Sequence, residues 1–169
     1  MTSTLYVDNL IEKTSGNGVH IPGHVIQQAY IQQDTVISTS TTMNYSSSLP
    51  TVGQGALVFS KSFTPKSNNS VIEIFFQTYA YSSGVHNAIF ALFEGSVLKT
   101  AVAPRHTYAS EAQDAQTMMV NIPNTSLTAR TYSVRAGCQP GNGHVLYINT
   151  YPRFAGVPQT VMVIREIAQ

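Results

Sequence analysis

Val71-Ile72-Glu73-Ile74-Phe75-Phe76-Gln77-Thr78-Tyr79-Ala80-Tyr81, closed by Ser82-Ser83-Gly84, is the stretch on which the fold turns. Its even positions Ile72, Ile74 and Phe76 are all apolar, whereas its odd positions Glu73, Phe75, Gln77 and Tyr79 are mixed. A repeat of two puts alternate side chains on opposite faces of a pleated strand. The segment therefore predicts a strand with one dry face and one partly wet face.

The same punctuation continues on both sides. Ala56 to Thr64 reads as a strand with Leu57, Phe59 and Phe63 on one side and Ser60 and Ser62 on the other, followed by a turn at Pro65 to Asn69. Downstream, Asn87 to Glu94 and Ser96 to Val102 read as a hairpin about Glu94-Gly95-Ser96. Gln116 to Ile122, Thr131 to Ala136, His144 to Thr150 and Thr160 to Ile167 complete the series, with a strong turn signal at Gly137 to Gly143. The one helical candidate is a single turn at Ser110 to Gln116. About eight strands in roughly 110 residues is the spacing of an antiparallel β-sandwich or jelly roll. A parallel sheet would need crossover helices, and the sequence offers none. The fold class is all-β.

One strand breaks the alternation. In Asn87-Ala88-Ile89-Phe90-Ala91-Leu92-Phe93-Glu94 both faces are apolar, so both must be covered. The simplest cover is another subunit, which makes Ala88, Phe90 and Leu92, with Phe75 and Tyr79, the expected subunit interface. The alternative is a central strand lying under a long loop of its own chain.

The first 55 residues differ in character. Thr4 to Val7 and His24 to Gln32 read as strands, while Asp34 to Ser48 is rich in Thr and Ser and poor in large apolar groups. Such a stretch does not form a core alone. The expected division is therefore an N-terminal β arm over residues 1–55 and a jelly-roll domain over 56–169, with Leu5, Val7, Leu10, Val25 and Ile26 as the arm's contacts to partner subunits.

Composition narrows the function. Of 169 residues only 10% are charged, against roughly 25% in ordinary soluble proteins, and the formal net charge is +1. Neutral polar side chains lose less on desolvation than charged ones, which suits faces buried against other subunits. There is no cluster of Lys or Arg to neutralise phosphates, so no nucleic acid is expected as a partner. No apolar run approaches the roughly 18 residues of a membrane span, and Met1 to Val7 lacks the build of a secretory signal. Synthesis in a cytoplasm is the expectation. Cys138 is the single cysteine and has no intrachain disulfide partner.

The chemical constellations are sparse. Glu111 and Asp114 fall in a loop, where solvated acids are the simpler reading. No nucleophile elbow, phosphate loop or paired-cysteine spacing is present, and Cys138 reads as a small buried thiol. His20 and His24 are the sharpest metal candidates, but Pro22-Gly23 between them excludes a shared helical face. His86, His106 and His144 fall near loops. No metal, cofactor or catalytic residue is expected. Tyr79, Tyr81, Tyr108, Tyr147 and Tyr151 suit either subunit packing or stacking on a sugar ring.

The opening Ser3-Thr4-Leu5-Tyr6-Val7-Asp8-Asn9-Leu10, the phrase Gly18-Val19-His20-Ile21-Pro22-Gly23-His24-Val25-Ile26-Gln27, the turn Phe63 to Ile72 and the closing Val161 to Ala168 together resemble short phage fibre and virion-surface proteins. Residues 83–150 carry none of this resemblance. It implies a jelly-roll head on an N-terminal arm, assembled as a homotrimer on the surface of a phage particle. The leading expectation is a capsid decoration or cement protein with the major capsid protein or other virion proteins as partners. The alternative is a short tail fibre or receptor-binding tip that recognises a host surface glycan.

Overall fold

The computed structural model describes residues 11, 21–106, 114–141, 143–150 and 159–169. Glu111, Tyr108, Tyr151, His20, Leu5, Val7, Leu10 and most of the proposed helical turn lie outside them. The described residues form two antiparallel sheets.

The larger sheet is built on β4 (Ser70–Ser82). One side of β4 pairs along its length with β8 (Asp114–Asn124); the other pairs first with β11 (Thr160–Ala168) and then with β10 (Leu146–Ile148). Beyond β11 lies β1 (Val25–Gln33), and beyond β10 lies β2 (Ile37–Thr39). The smaller sheet runs β3 (Ala56–Phe63), β9 (Arg130–Cys138), β5 (His86–Glu94), β6 (Val97–Val102), with β7 (Arg105–His106) also on β5. Setting aside the three shortest strands, the orders β1-β11-β4-β8 and β3-β9-β5-β6 are those of a jelly roll: apart from the β5–β6 hairpin, consecutive strands cross between the sheets, so each sheet is stitched from both ends of the chain. β1, drawn from the segment expected as an arm, is one of these eight strands; its Val25 pairs with Ile167 of the same chain, and Ile26 sits in the bulge beside it.

The alternation in β4 is kept throughout. Ile72, Ile74, Phe76 and Ala80 are fully buried, and Val71, Glu73, Phe75, Gln77 and Tyr79 face outward. β11 repeats the pattern, with Met162 and Ile164 inside. Across the gap Phe59 meets Phe76 edge-on at 6.3 Å between centroids, the geometry favoured by the ring quadrupoles. β3 departs from its expected alternation. A bulge between Leu57 and Phe59 inserts Val58, so Leu57 turns to solvent while Val58 and Phe59 enter the core.

The doubly apolar β5 has a cover that the sequence reading did not choose. Ala88, Phe90 and Leu92 are buried in the main core between the two sheets, and Phe90 lies 6.5 Å from Phe76. They are therefore interior residues of one chain and not subunit surface. The opposite face, Ile89, Ala91 and Phe93, packs under Met43, with Tyr45, Val52 and Leu98 around it. The long-loop alternative is the one the molecule uses. That loop is fastened by main chain, Met43 N donating to Cys138 O (3.0 Å) and Cys138 N to Thr41 O (2.8 Å). Arg135 ties down its far end by donating to the Gln54 and Gly55 carbonyls. Gly137 permits the approach: a Cβ there would lie 2.7 Å from Met43 Cγ and 2.8 Å from Thr41 O. Met43 is the plug of this second core. Met43→Ala is expected to lower unfolding free energy by about 2–5 kcal/mol, as for other buried Met truncations; a urea melt unchanged from wild type would show that the loop does not seal β5.

Candidate assembly surface

With β5 enclosed, the outer face of the larger sheet is the surface on which the expected interface residues Phe75 and Tyr79 remain. The strand registers order this face into rows. Tyr30, Val163, Phe75 and Met119 are successive cross-strand partners on β1, β11, β4 and β8. Their ends are open, Tyr30 being 58% and Met119 59% exposed. A second apolar row, Val25, Ile167, Val71 and Pro123, lies toward the end where the chain terminates. Between them runs a polar row, Gln28, Arg165, Glu73 and Asn121. In it Arg165 donates to Gln28 Oε1 (2.9 Å) and to Glu73 Oε1 (2.8 Å), so its charge is satisfied within the sheet. A face of two apolar rows, separated by one neutralised ion pair, is suited to burial against another protein surface. Sequence reasoning named Phe75 and Tyr79 but missed Tyr30, Val163 and Met119, because the row exists only once three non-adjacent strands are in register.

Tyr81 and Tyr147 face each other where β4 meets β10, their rings stacked at 4.6 Å and 9°. Burial, and then the neighbouring Tyr147, push the Tyr81 hydroxyl above its ordinary pKa. Tyr79 lies two residues along on the same outward side.

The remaining polar clusters are structural. Ser82, Gly84 and His86 form a tight knot in which Ser82 Oγ donates to Gly84 O (2.8 Å) and lies 2.6 Å from His86 Nδ1. His86 Nδ1 also lies 3.1 Å from Gly84 O, so the ring is held by the turn it follows. Burial lowers the His86 pKa, and the His144 ring, 5.2 Å away, acts in the same direction. Gly84 makes room for that second ring, since a Cβ there would collide with the His144 imidazole. Cys138 is buried, its thiol directed at His144 O (3.3 Å), and burial raises its pKa. A protonated, enclosed thiol is a poor nucleophile. His24 is exposed, and its main chain continues the β1–β11 pairing by accepting from Ala168 N. Among the described residues no group of three or more His, Cys, Asp or Glu side chains is placed to hold a metal.

Among the described residues, two surface hollows have mainly apolar linings. One, of about 320 Å³, lies between the 44–50 loop and β6 and is lined by Tyr45, Leu49, Ile89 and Val102 among others. The other, of about 540 Å³, opens between the edges of β1 and β3 beside Ile31, Ile37, Leu57 and Phe59.

No protein-family model and no curated protein matches the chain. Among solved structures it is similar to that of the infectious bursal disease virus Gx strain, at 10% identity and a TM-score of 0.41, over 86% of this chain and 37% of that one. It is similar to the VP2 subviral particle of the same virus at 16% identity and a TM-score of 0.37, over 86% and 38% of the two chains. It is also similar to dimeric latent PorU from Porphyromonas gingivalis, at 12% identity and a TM-score of 0.41, over 90% and 14%. This chain spans less than half the length of each of these proteins, and the jelly-roll order stands on the strand pairings themselves.

Proposed function

We propose that the chain is a non-enzymatic structural protein of a phage particle: a homotrimeric decoration, or cement, protein on the head shell. The observation that carries this reading is the outer face of β1-β11-β4-β8, where Tyr30, Val163, Phe75 and Met119 form an apolar row across the sheet. That face is the trimer contact in this reading. Residues ahead of β1, with Leu5, Val7 and Leu10, reach the major capsid protein or other virion proteins. Main-chain pairing of such a segment supplies affinity without a side-chain code. The low charge of the chain and the resemblance of its two ends to virion-surface proteins support the phage setting. The product of such a protein is buried area and added strand hydrogen bonds, not turnover, and it needs no cofactor. It would be made in the host cytoplasm and reside on the particle surface.

Phe75→Asp tests the contact. Phe75 is half-buried on the outer face, so the variant is expected to keep a cooperative melt while its native mass falls to one third of the wild-type value. Wild-type mass in the variant would remove this face from the interface. Location is tested on particles purified from the producing culture. Cement requires a copy number comparable with the major capsid protein; a copy number comparable with a tail component favours the fibre.

The fibre-tip alternative has its own observation, the stacked Tyr81–Tyr147 pair with Tyr79 beside it. Flat aromatic faces at a surface suit a sugar ring. Glycan binding abolished by Tyr147→Ala, together with low copy number, would favour that reading over cement.

A further inference from the structure

Edge strands are where a sheet recruits other chains, and proteins normally obstruct them with charge, proline or shortness. Four long strands form the edges of this sandwich, and three carry such an obstruction: Lys61 in β3, Lys99 in the six-residue β6, Asp114 and Pro123 in β8. β1 carries none. Val25-Ile26-Gln27-Gln28-Ala29-Tyr30-Ile31-Gln32-Gln33 has no charged residue and no proline over nine residues, and among the described residues only its β11 side is paired.

Its sequence has a second property. Gln27-Gln28-Ala29-Tyr30-Ile31-Gln32-Gln33 is a palindrome by residue class about Tyr30. Two copies laid antiparallel about a twofold axis at Tyr30 place Gln28 opposite the partner's Gln32, Ala29 opposite the partner's Ile31, and tyrosine opposite tyrosine. Each outward pair then joins amide to amide or ring to ring, the cross-strand matches that stabilise a sheet. The inward residues need no rearrangement. Gln27 and Gln33 are already bolted to the smaller sheet, their amides donating to Thr64 O (2.8 Å) and Val58 O (2.6 Å). These bonds tie both ends of the palindrome to β3 and the residue after it, beside the hollow between the two strands.

We infer that β1 is a self-pairing edge: two copies of this chain join β1 to β1 antiparallel about Tyr30, making one continuous sheet through both molecules. The apolar row Tyr30-Val163-Phe75-Met119 then runs unbroken from one β8 to the other. The contact is isologous and closes on itself, so it yields pairs and not fibres. It does not rest on the virion reading. If the trimer also forms, the two contacts together give six chains.

The test is native mass spectrometry of the whole chain with two double variants that share Gln28→Glu. That change places a carboxylate beside Arg165, which already donates to Gln28, so the fold is not opposed. Gln28→Glu/Gln32→Glu sets two like-charge pairs across the twofold and is expected to halve the mass. Gln28→Glu/Gln32→Lys sets two opposite-charge pairs and is expected to keep the wild-type mass, an even number of chains. Wild-type protein with the mass of one or three chains overturns the inference; a monomer would mean that the chain covers its own edge. Retained mass in the Glu/Glu variant, or equal dissociation of both variants, overturns it as well. Particle copy number, which tests the proposed function, is unaffected by any of these outcomes.

Discussion

Phe90→Asp is expected to abolish folding altogether, so that the purified protein shows no cooperative thermal transition at any temperature. Phe90 is fully buried between the sheets, tilted against Phe76 and within one core with Leu92, Val134 and Ile164. Removing a buried phenyl ring alone costs about 3–5 kcal/mol. The replacement also strands a carboxylate where no donor is arranged for it, a penalty of several kcal/mol after relaxation. Set against total stabilities of roughly 5–15 kcal/mol, the sum leaves no folded population to speak of. The contrast with Phe75→Asp is the point. Both phenylalanines lie in strands of apolar character, Phe75 on the outer face of β4 and Phe90 on the inner face of β5, yet one change should unfold the chain and the other only separate subunits. A soluble, folded Phe90→Asp protein would return Phe90 to the surface and mean that β5 is not enclosed within one chain.

That pair of residues also shows what is legible in a sequence of this kind. The period of two in β4 and β11 needs no partner to be seen, so the strands, their inward faces and the all-β class follow from residue order alone. The double burial of β5 is legible too. What covers it is not, because the cover centres on Met43, in a Thr- and Ser-rich stretch that looks unable to bury anything, with Tyr45, Val52 and Leu98 around it. Met43 acts through its position opposite Gly137 and Gly55, two gaps that exist only after β9 and the 41–54 loop have met. The place of β1 was hidden for a related reason. Its partner β11 lies at the other end of the chain, and jelly-roll order makes such pairings the rule. The bulge at Val58 shifted the phase of β3 by one residue, which no alternation count anticipates. The apolar row on the outer sheet is a property of register between strands and not of any strand by itself.

Glu166 is the clearest case of chemistry that alternation flags but does not explain, and it carries the second large effect. On β11 it shares the inward face with Met162 and Ile164 and is wholly buried. Four donors converge on it: Gln27 Nε2 (2.7 Å) and Lys66 N (2.8 Å) on Oε2, Ser67 N (2.8 Å) and Ser70 Oγ (2.9 Å) on Oε1. The carboxylate thus fastens the 65–69 turn to the last strand and reaches β1 as well. Asn124 completes the cluster from β8, donating to Ser67 O and Ser70 Oγ. A carboxylate can accept at both oxygens; a carboxamide accepts at one and presents hydrogens at the other. Glu166→Gln, although the same size, therefore leaves two of the four donors facing N–H groups. Hydrogen bonds to a charged group contribute about 1.5–3 kcal/mol each, and a buried donor left unmatched keeps its desolvation cost. We expect Glu166→Gln to lose about 3 kcal/mol or more in a urea melt, nearly as much as Glu166→Ala, with faster amide exchange at Lys66 and Ser67. A loss below about 1 kcal/mol would mean that the turn holds itself and that the carboxylate only fills space. The expected result would instead identify one buried charge as the clasp between the β3–β4 turn, the first strand and the last.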